Sequence, residues 1–539
     1  MRLQNDTSTT FDYVIVGAGS AGCVLATRLS DAPSATVCLI ASGTSDRRFP
    51  VNAKSRIPAG GIMFRHDRRY NWLYPSESTA GPASRPILCP RGRLFGGTSS
   101  INGMIYMRGQ PQDYDRWAAL GNDGWSFADV LPFFRKSEHF EPGAGPLHGQ
   151  GGELNVAAQR SPHPLSFAFV EAAGQCQFAI NPDFNGDSQT GFGLFHVTQK
   201  NGERWSTARA FLHPALSRRN LHVESDATAL HLTFDGKRAS GLRLRRGEME
   251  FSVRARRDVI LSAGAIASPQ LLMLSGIGPA GELRDLGITP LVDNPGVGGN
   301  FHDHCDVAIA VADRSATSYA MSARGLPGLL AAPFRYLQKR GPLTSIMVEA
   351  GGFIRSRPDV ERPDLHFIFT PMLHDRAEYL PRGHGFMVHV SALRPKSRGR
   401  IRLRSADLSD PPLLRPNLLS HEDDLQLLIE GLRVARRIIA APALAPFRSG
   451  ELSPGSAVET QVQLADYVRG TVATVFHPVG TCKMGVDSLA VVDPSLRVHG
   501  IGGLRVIDAS VMPEIVSGNT NAPTVMIAEK GAALIAASR

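Results

Sequence analysis

The chain has 539 residues, 42% of them hydrophobic and 20% charged, enough for a large core and two domains of ordinary globular composition. No apolar run approaches the ~20 residues of a membrane span, and the first residues lack the apolar stretch and cleavage site of a secretory signal. The net charge of +9 comes with basic clusters at 65–69 and 254–257 that lack interleaved aromatics, which excludes nucleic acid as a partner and leaves a weak attraction to anionic membrane surfaces.

In chain order, Tyr13 to Val16 is a short apolar, β-branched run that predicts a buried parallel strand. Gly17, Gly19 and Gly22 follow as G-x-G-x-x-G. The first permits the tight turn, the second admits a phosphate to the backbone, and the third lets the next helix pack closely. Val24, Leu25 and Leu29 lie at helical spacing, so a helix N-terminus would face a pyrophosphate. The second strand, Thr36 to Ile40, departs from the fingerprint. Where a ribose-binding carboxylate is expected, nineteen residues past Gly22, stands Ala41, followed by Ser42 and Gly43. A lost charge-assisted hydrogen bond costs about 1.5–3 kcal/mol of ligand affinity. Ser42 or a water would have to substitute.

Residues 44–90 look irregular. Small residues from Gly96 to Ser100 then predict a loop that presses its backbone against a flat ligand or a pyrophosphate. Residues 113–139 are helical in pattern. Residues 220–261 alternate, which predicts a β-meander with a hairpin at Asp235-Gly236. A strand at 259–261, a small-residue turn and a helix ending at Gly278 form a second close-approach turn. His302-Asp303-His304-Cys305-Asp306 reads as a hydrogen-bonded turn, with a metal cluster as the lesser alternative, since no distant ligand set completes it. Strand-like segments recur at 365–369, 386–390 and 399–403, and the alternation in the last two suits an antiparallel sheet with one covered face. Asp423 to Ala440 is an amphipathic helix. Near the end come His477 in a turn, a strand ending in Asp508, the Asn-rich turn 517–524, and a final helix from Val525 to Ala537. The six cysteines are scattered, which predicts reduced thiols and a cytoplasmic protein, free or peripheral at a membrane.

Five motifs stand in order: GAGSAG (17–22), GRLFGGTSSING (92–103), GAIASPQLLMLSGIG (264–278), HPVGTCKMG (477–485) and GNTNAPT (518–524). Together they resemble the glucose–methanol–choline (GMC) family of flavoprotein alcohol oxidoreductases, of alcohol or choline dehydrogenase type, across nearly the whole chain. The resemblance implies FAD rather than NAD. It implies an α/β, Rossmann-like FAD-binding domain at 11–155, 205–300 and 471–539, and an α+β substrate domain with an antiparallel sheet at 156–204 and 301–470. His477 matches the catalytic histidine, and Asn519 its partner. Asn521, Gly97 and Asn102 match flavin-facing positions, Ala229 the adenine contact, and Asp508 and Ala509 the C-terminal flavin contact. Cofactor binding is implied also for Gly17, Gly19, Ser20, Ala21, Gly22, Ala41, Ser42, Trp72, Gly103, Met104, Ala263 and Pro523. Ile101 stands where some members carry a histidine covalently joined to FAD, so non-covalent FAD is implied. Phe95 replaces an aliphatic residue.

The implied reaction oxidises an alcohol to an aldehyde or ketone, with hydride passing to flavin N5. Its base must reach the hydroxyl within ~2.6–3.2 Å, the role of His477, while Asn519 steadies the alkoxide. Oxygen or a quinone-type carrier would reoxidise the flavin. Glu349 could pair with a quaternary ammonium such as choline, though a structural carboxylate is the simpler reading. Two other functions stay open: a non-redox lyase of cyanohydrin type, and a non-catalytic protein whose FAD binding Ala41 has weakened.

Overall fold

A computed structural model describes residues 9–64, 66–77, 85–374 and 383–538. Arg65 of the basic cluster, residues 78–84 of the irregular stretch, and the first eight residues lie outside the described residues. Two seven-stranded sheets organise the chain.

The first sheet runs in the order Leu221–Ser225, Val37–Ala41, Thr9–Val16, Met249–Leu261, Arg238–Arg246, Thr228–Asp235, with Leu504–Val506 also pairing with Met249–Leu261. The strand Met249–Leu261 serves two neighbourhoods. Its first half pairs antiparallel with Arg238–Arg246, and its second half pairs parallel with Thr9–Val16 and with Leu504–Val506. The predicted hairpin is present, with Gly236 at φ +60°. Leu221–Ser225 is a correction: it pairs parallel with Val37–Ala41 and belongs to the nucleotide-type edge, not to the meander. A five-residue strand carries too little alternation to choose its partner.

The helices Ser20–Leu29 and Asn521–Ala537 pack together on this sheet, beside Phe127–Ser137. Arg28 fixes the pairing, with bonds to the buried Glu529 at 2.7 Å and to Glu153 at 2.6 Å. The last helix starts four residues before the predicted point, because the turn of small residues already has helical geometry at Asn521. The pattern at 113–139 resolves into two helices, Pro111–Ala119 and Phe127–Ser137, each opened by a capping box at Gln110 and Ser126.

The second sheet is wholly antiparallel: Arg448–Ser453, Cys305–Asp313, Gly385–Ala392, Leu365–Thr370, Ala350–Ile354, Gly191–Leu194, with Ala473–Thr474 on Cys305–Asp313. The expectation of one covered face is corrected here, since every residue of Leu365–Thr370 and Gly385–Ala392 is buried. Side chains alternate across a strand. Phe367, Phe369, Val388 and Val390 meet a core shared with the helices Pro164–Gln175 and Glu422–Ala440. Ile368, Thr370 and His389 take the opposite face and line a cavity. The pattern at 399–403 is also corrected: Arg400–Arg402 pairs only with Leu413–Arg415, apart from this sheet.

Candidate active site

The strand ends of the first sheet converge on one turn. Gly17 N–H donates to the Ile40 carbonyl at 2.8 Å, and Ser262 N–H donates to that of Val16 at 2.8 Å. Gly17 has φ +106°, and a Cβ there would lie 2.5 Å from the Ser262 carbonyl oxygen. A Cβ on Gly22 would lie 1.8 Å from the Gly17 carbonyl oxygen, so only hydrogen fits where the helix begins. The loop 96–100 docks on the same turn. Gly96 N–H donates to the Ala18 carbonyl at 2.8 Å, and a Cβ on Gly97 would stand 2.8 Å from Gly19 Cα. Asp508 clasps the second close-approach turn, accepting from Gly264 N–H at 2.8 Å and from the hydroxyls of Ser268 and Ser510 at 2.6 Å. Asn521 Oδ1 accepts from the Ser20 hydroxyl at 2.8 Å, which joins the last helix to the first motif.

From this cradle a cavity of about 420 Å³ runs to the second sheet. Gly17, Gly19, Ser20, Ala21, Ala41, Ser42, Trp72, Gly97, Asn102, Gly103, Met104, Ala263, Asp508, Ala509 and Asn521 line it, together with His477 and Asn519. Gly22, Ala229 and Pro523 do not. Gly22 acts through packing. Ala229 lies on the strand just past Ala227, whose N–H donates to the Ala41 carbonyl at 3.0 Å. Pro523 sits in the first turn of the last helix.

His477 sits at the far end of this cavity, where three segments hold it. Its backbone N–H donates to Asp303 at 2.8 Å, and the preceding Phe476 is in the left-handed region at φ +67°. Arg91 donates to the Phe476 carbonyl at 2.6 Å. Its ring nitrogens have distinct partners: Nδ1 lies 3.0 Å from His304 Nδ1, and Nε2 lies 3.1 Å from Asn519 Nδ2. His304 Nε2 lies 3.1 Å from the Val516 carbonyl, which can only accept, so His304 carries its proton on Nε2. Its Nδ1 is then an acceptor and His477 Nδ1 the donor. The lone pair of His477 is thereby left on Nε2, the atom beside Asn519.

Burial, then the neighbouring His304, His366 and Arg91, hold the His477 imidazole well below its usual pKa. Burial brings His304 to about 4 and His366 to about 3. Burial pushes the Asp303 carboxyl up to about 7. The turn bearing Asn519 is anchored from behind by Asp113, which accepts from Ser517 N–H at 2.7 Å and pairs with Arg362 at 2.6 Å.

The turn expected at 302–306 is corrected: His302 bridges to Val479, and Cys305 and Asp306 open the strand Cys305–Asp313. His302 joins the Asn300 carbonyl and Ile515 N–H. Glu349 is structural: it accepts from His163 N–H at 2.6 Å and from the hydroxyls of Ser166 and Ser345, away from the cavity lining. Sequence reasoning missed Arg91 and Arg204. Both line the cavity, and each has a buried Nε with no hydrogen-bond partner. Arg204 holds the carbonyls of Asn102, Ser99 and Pro58, and burial lowers its pKa to about 9. Its neighbours Glu203 and Trp205 give no signal, whereas Arg91 immediately precedes the GRLFGG motif.

The N-terminal GMC oxidoreductase profile matches residues 11–306, and the C-terminal profile matches 395–528. The chain belongs to the GMC oxidoreductase family. With it the chain belongs to the FAD-dependent oxidoreductases. It is 42% identical to an alcohol dehydrogenase [acceptor] of Pseudomonas putida over 97% of this chain and 95% of that one. It is also 42% identical to mitochondrial choline dehydrogenase of Homo sapiens, over 97% of this chain and 89% of the other. Among solved structures, pyridoxine 4-oxidase from Mesorbium loti superposes with a TM-score of 0.87 at 30% identity, covering 97% of this chain and 98% of that one.

Proposed function

We propose that this GMC oxidoreductase oxidises an uncharged alcohol, with His477 as the base and Asn519 as the partner of the alkoxide. The observation that carries the reading is the chain Val516 carbonyl, His304, His477, Asn519, which leaves one basic lone pair in the wall of the cavity. The residues present fit FAD. The glycine cradle leaves no room for side chains, and Arg91 and Arg204 add positive charge to the wall of the same cavity. Gly17 to Ala21, Ser42, Trp72, Asn102, Asp508 and Asn521 would hold it, without a covalent bond because Ile101 offers no nucleophile. The discontinuous FAD-binding unit (11–155, 205–300, 471–539) and the substrate unit (156–204, 301–470) belong to the same proposal.

FAD, when bound, supplies the hydride acceptor. His477 Nε2 takes the hydroxyl proton, which turns the alcohol into an alkoxide and its carbon into a stronger hydride donor. The low pKa keeps Nε2 free of a proton at neutral pH, and an alkoxide beside it raises its basicity at the moment of transfer. Asn519 turns its amide from Nε2 to the developing oxyanion. Its Oδ1 has no hydrogen-bond partner to restrain the rotation.

Ile346, Met347, Val348, Ile368 and Met372 make the substrate end apolar, and Asp508, on the cofactor side, is the only carboxylate lining the cavity among the described residues. A quaternary ammonium would find no counter-ion there among the described residues, which favours an uncharged alcohol over choline. The test is an absorption spectrum of the purified protein followed by anaerobic addition of an alcohol panel. Bleaching by uncharged alcohols and not by choline supports the reading. Turnover with an unchanged spectrum points to a lyase, and a protein that takes up no flavin overturns the proposal. His477→Ala is expected to keep FAD and lose ~10²–10⁴ in turnover; full activity refutes its role.

A further inference from the structure

The helix Leu326–Leu337 has an apolar face turned to solvent. Leu326, Leu330, Phe334 and Leu337 fall at i, i+4, i+8 and i+11, on one side of the helix, and are 52%, 66%, 71% and 77% exposed. Met321, just before the helix, is 66% exposed. Ala332, on the opposite side, is buried. The sequence around this face is charged with one sign only. Between Asp313 and Glu349 it holds no acidic residue and five basic ones, Arg314, Arg324, Arg335, Lys339 and Arg340. Lys339 is tied to Glu203 at 2.9 Å, whereas Arg324 and Arg340, just outside the two ends of the helix, are exposed, as is Arg335 on the side away from the ridge.

We propose that this helix docks on an anionic lipid surface, with the ridge from Met321 to Leu337 in the boundary between headgroups and acyl chains and the arginines at the phosphates. An apolar ridge fringed by cations matches such a surface in both respects. A second copy of the chain matches it poorly. A two-fold contact would set this acid-free segment against itself, cation facing cation. The placement bears on the reaction proposed above. The helix packs on the turn Pro342–Thr344, and the chain runs directly on into Ile346, Met347 and Val348 in the cavity wall. The turn Pro58–Phe64, which also lines the cavity and exposes Met63, packs on the same turn. Docking therefore brings the cavity to the side of the protein that faces lipid, where apolar alcohols and quinone-type acceptors concentrate.

The experiment is co-sedimentation of the flavin-loaded protein with vesicles of phosphatidylcholine alone or mixed with phosphatidylglycerol. It is run beside a parallel assay of turnover on a water-soluble alcohol and a measurement of mass in solution. Binding is expected with the anionic vesicles, and is weakened by salt. It is expected to fall about fivefold for each charge removed in Arg324→Ser and Arg340→Ser, and to vanish in the Leu330→Asp, Phe334→Asp double variant while soluble turnover persists. A wild-type protein that ignores anionic vesicles, or a double variant that binds as well as wild type, overturns the proposal. A wild-type dimer that the double variant breaks, without vesicle binding, assigns the face to a second copy and overturns it as well. Docking without turnover on any alcohol would count against the proposed reaction and leave the docking surface standing.

Discussion

At the scale of single residues, His477 owes its neutrality to burial and its orientation to His304. Neither could be read from the HPVGTCKMG motif, because His304 lies 173 positions away in sequence. The motif supplied the histidine; the fold decided which nitrogen holds the proton. Ala41 shows the reverse. The missing carboxylate was legible in the sequence, and the structure puts Ala41 on the cavity wall with Ser42 beside it and, among the described residues, no carboxylate but Asp508 in the lining. Ala41→Glu is expected to tighten FAD about tenfold to a hundredfold, the worth of one charge-assisted hydrogen bond of ~1.5–3 kcal/mol. Titration of the apoprotein with FAD, followed by fluorescence quenching, measures it. Unchanged or weaker affinity would mean that the ribose is held from another direction. Glu349, by contrast, looked available for a cationic substrate only until its three hydrogen-bond partners were visible.

At the scale of elements, the turn Gly17 to Gly22 was fully legible, because its glycines are dictated by contacts within one strand–turn–helix unit. Gly22 is the most constrained of them. A methyl group placed 1.8 Å from the Gly17 carbonyl oxygen must push the helix Ser20–Leu29 away from the sheet. Gly22→Ala is expected to cost ~3 kcal/mol or more, read as a lower urea midpoint with flavin released in the same transition. Gly281→Ala, in the helix Ala280–Asp285 with nothing within 4 Å of the added methyl, is the control and should be neutral or slightly stabilising. Equal effects of the two would refute the packing argument. The strands that were misassigned, at 221–224 and 399–403, are short and amphipathic. Their alternation says that a strand exists and says nothing about which neighbour it pairs with.

At the scale of the whole molecule, the two sheets meet over a cluster of buried histidines drawn from distant segments: His302, His304, His366 and His477. Burial depresses all four, His302 and His366 to about 3 and His304 to about 4. A histidine with a lowered folded pKa contributes stability that is complete above its unfolded value near 6.5 and is lost as pH falls toward the folded value. Asp303, raised to about 7, has the opposite sign: its contribution is lost as pH rises from about 4 to 7. Four protons outweigh one. The melting temperature is therefore expected to fall steadily from about pH 6.5 to about pH 4. A flat profile over that range would show that these rings are already protonated or solvated in the folded protein.

By itself the sequence determined the family, the nucleotide-type turn, the histidine and asparagine of the candidate site, and the lack of a carboxylate at position 41. All of these are encoded in short contiguous motifs, where the backbone geometry of a few residues dictates the residue type. Only the tertiary structure decided which strands share a sheet, that both faces of the second sheet are covered, and that His304 stands behind His477. It also showed that Arg91 and Arg204 reach the cavity and that the helix Leu326–Leu337 leaves its apolar side uncovered. These depend on contacts between residues far apart in the chain, and the local pattern around each residue is the same whether or not the partner is there.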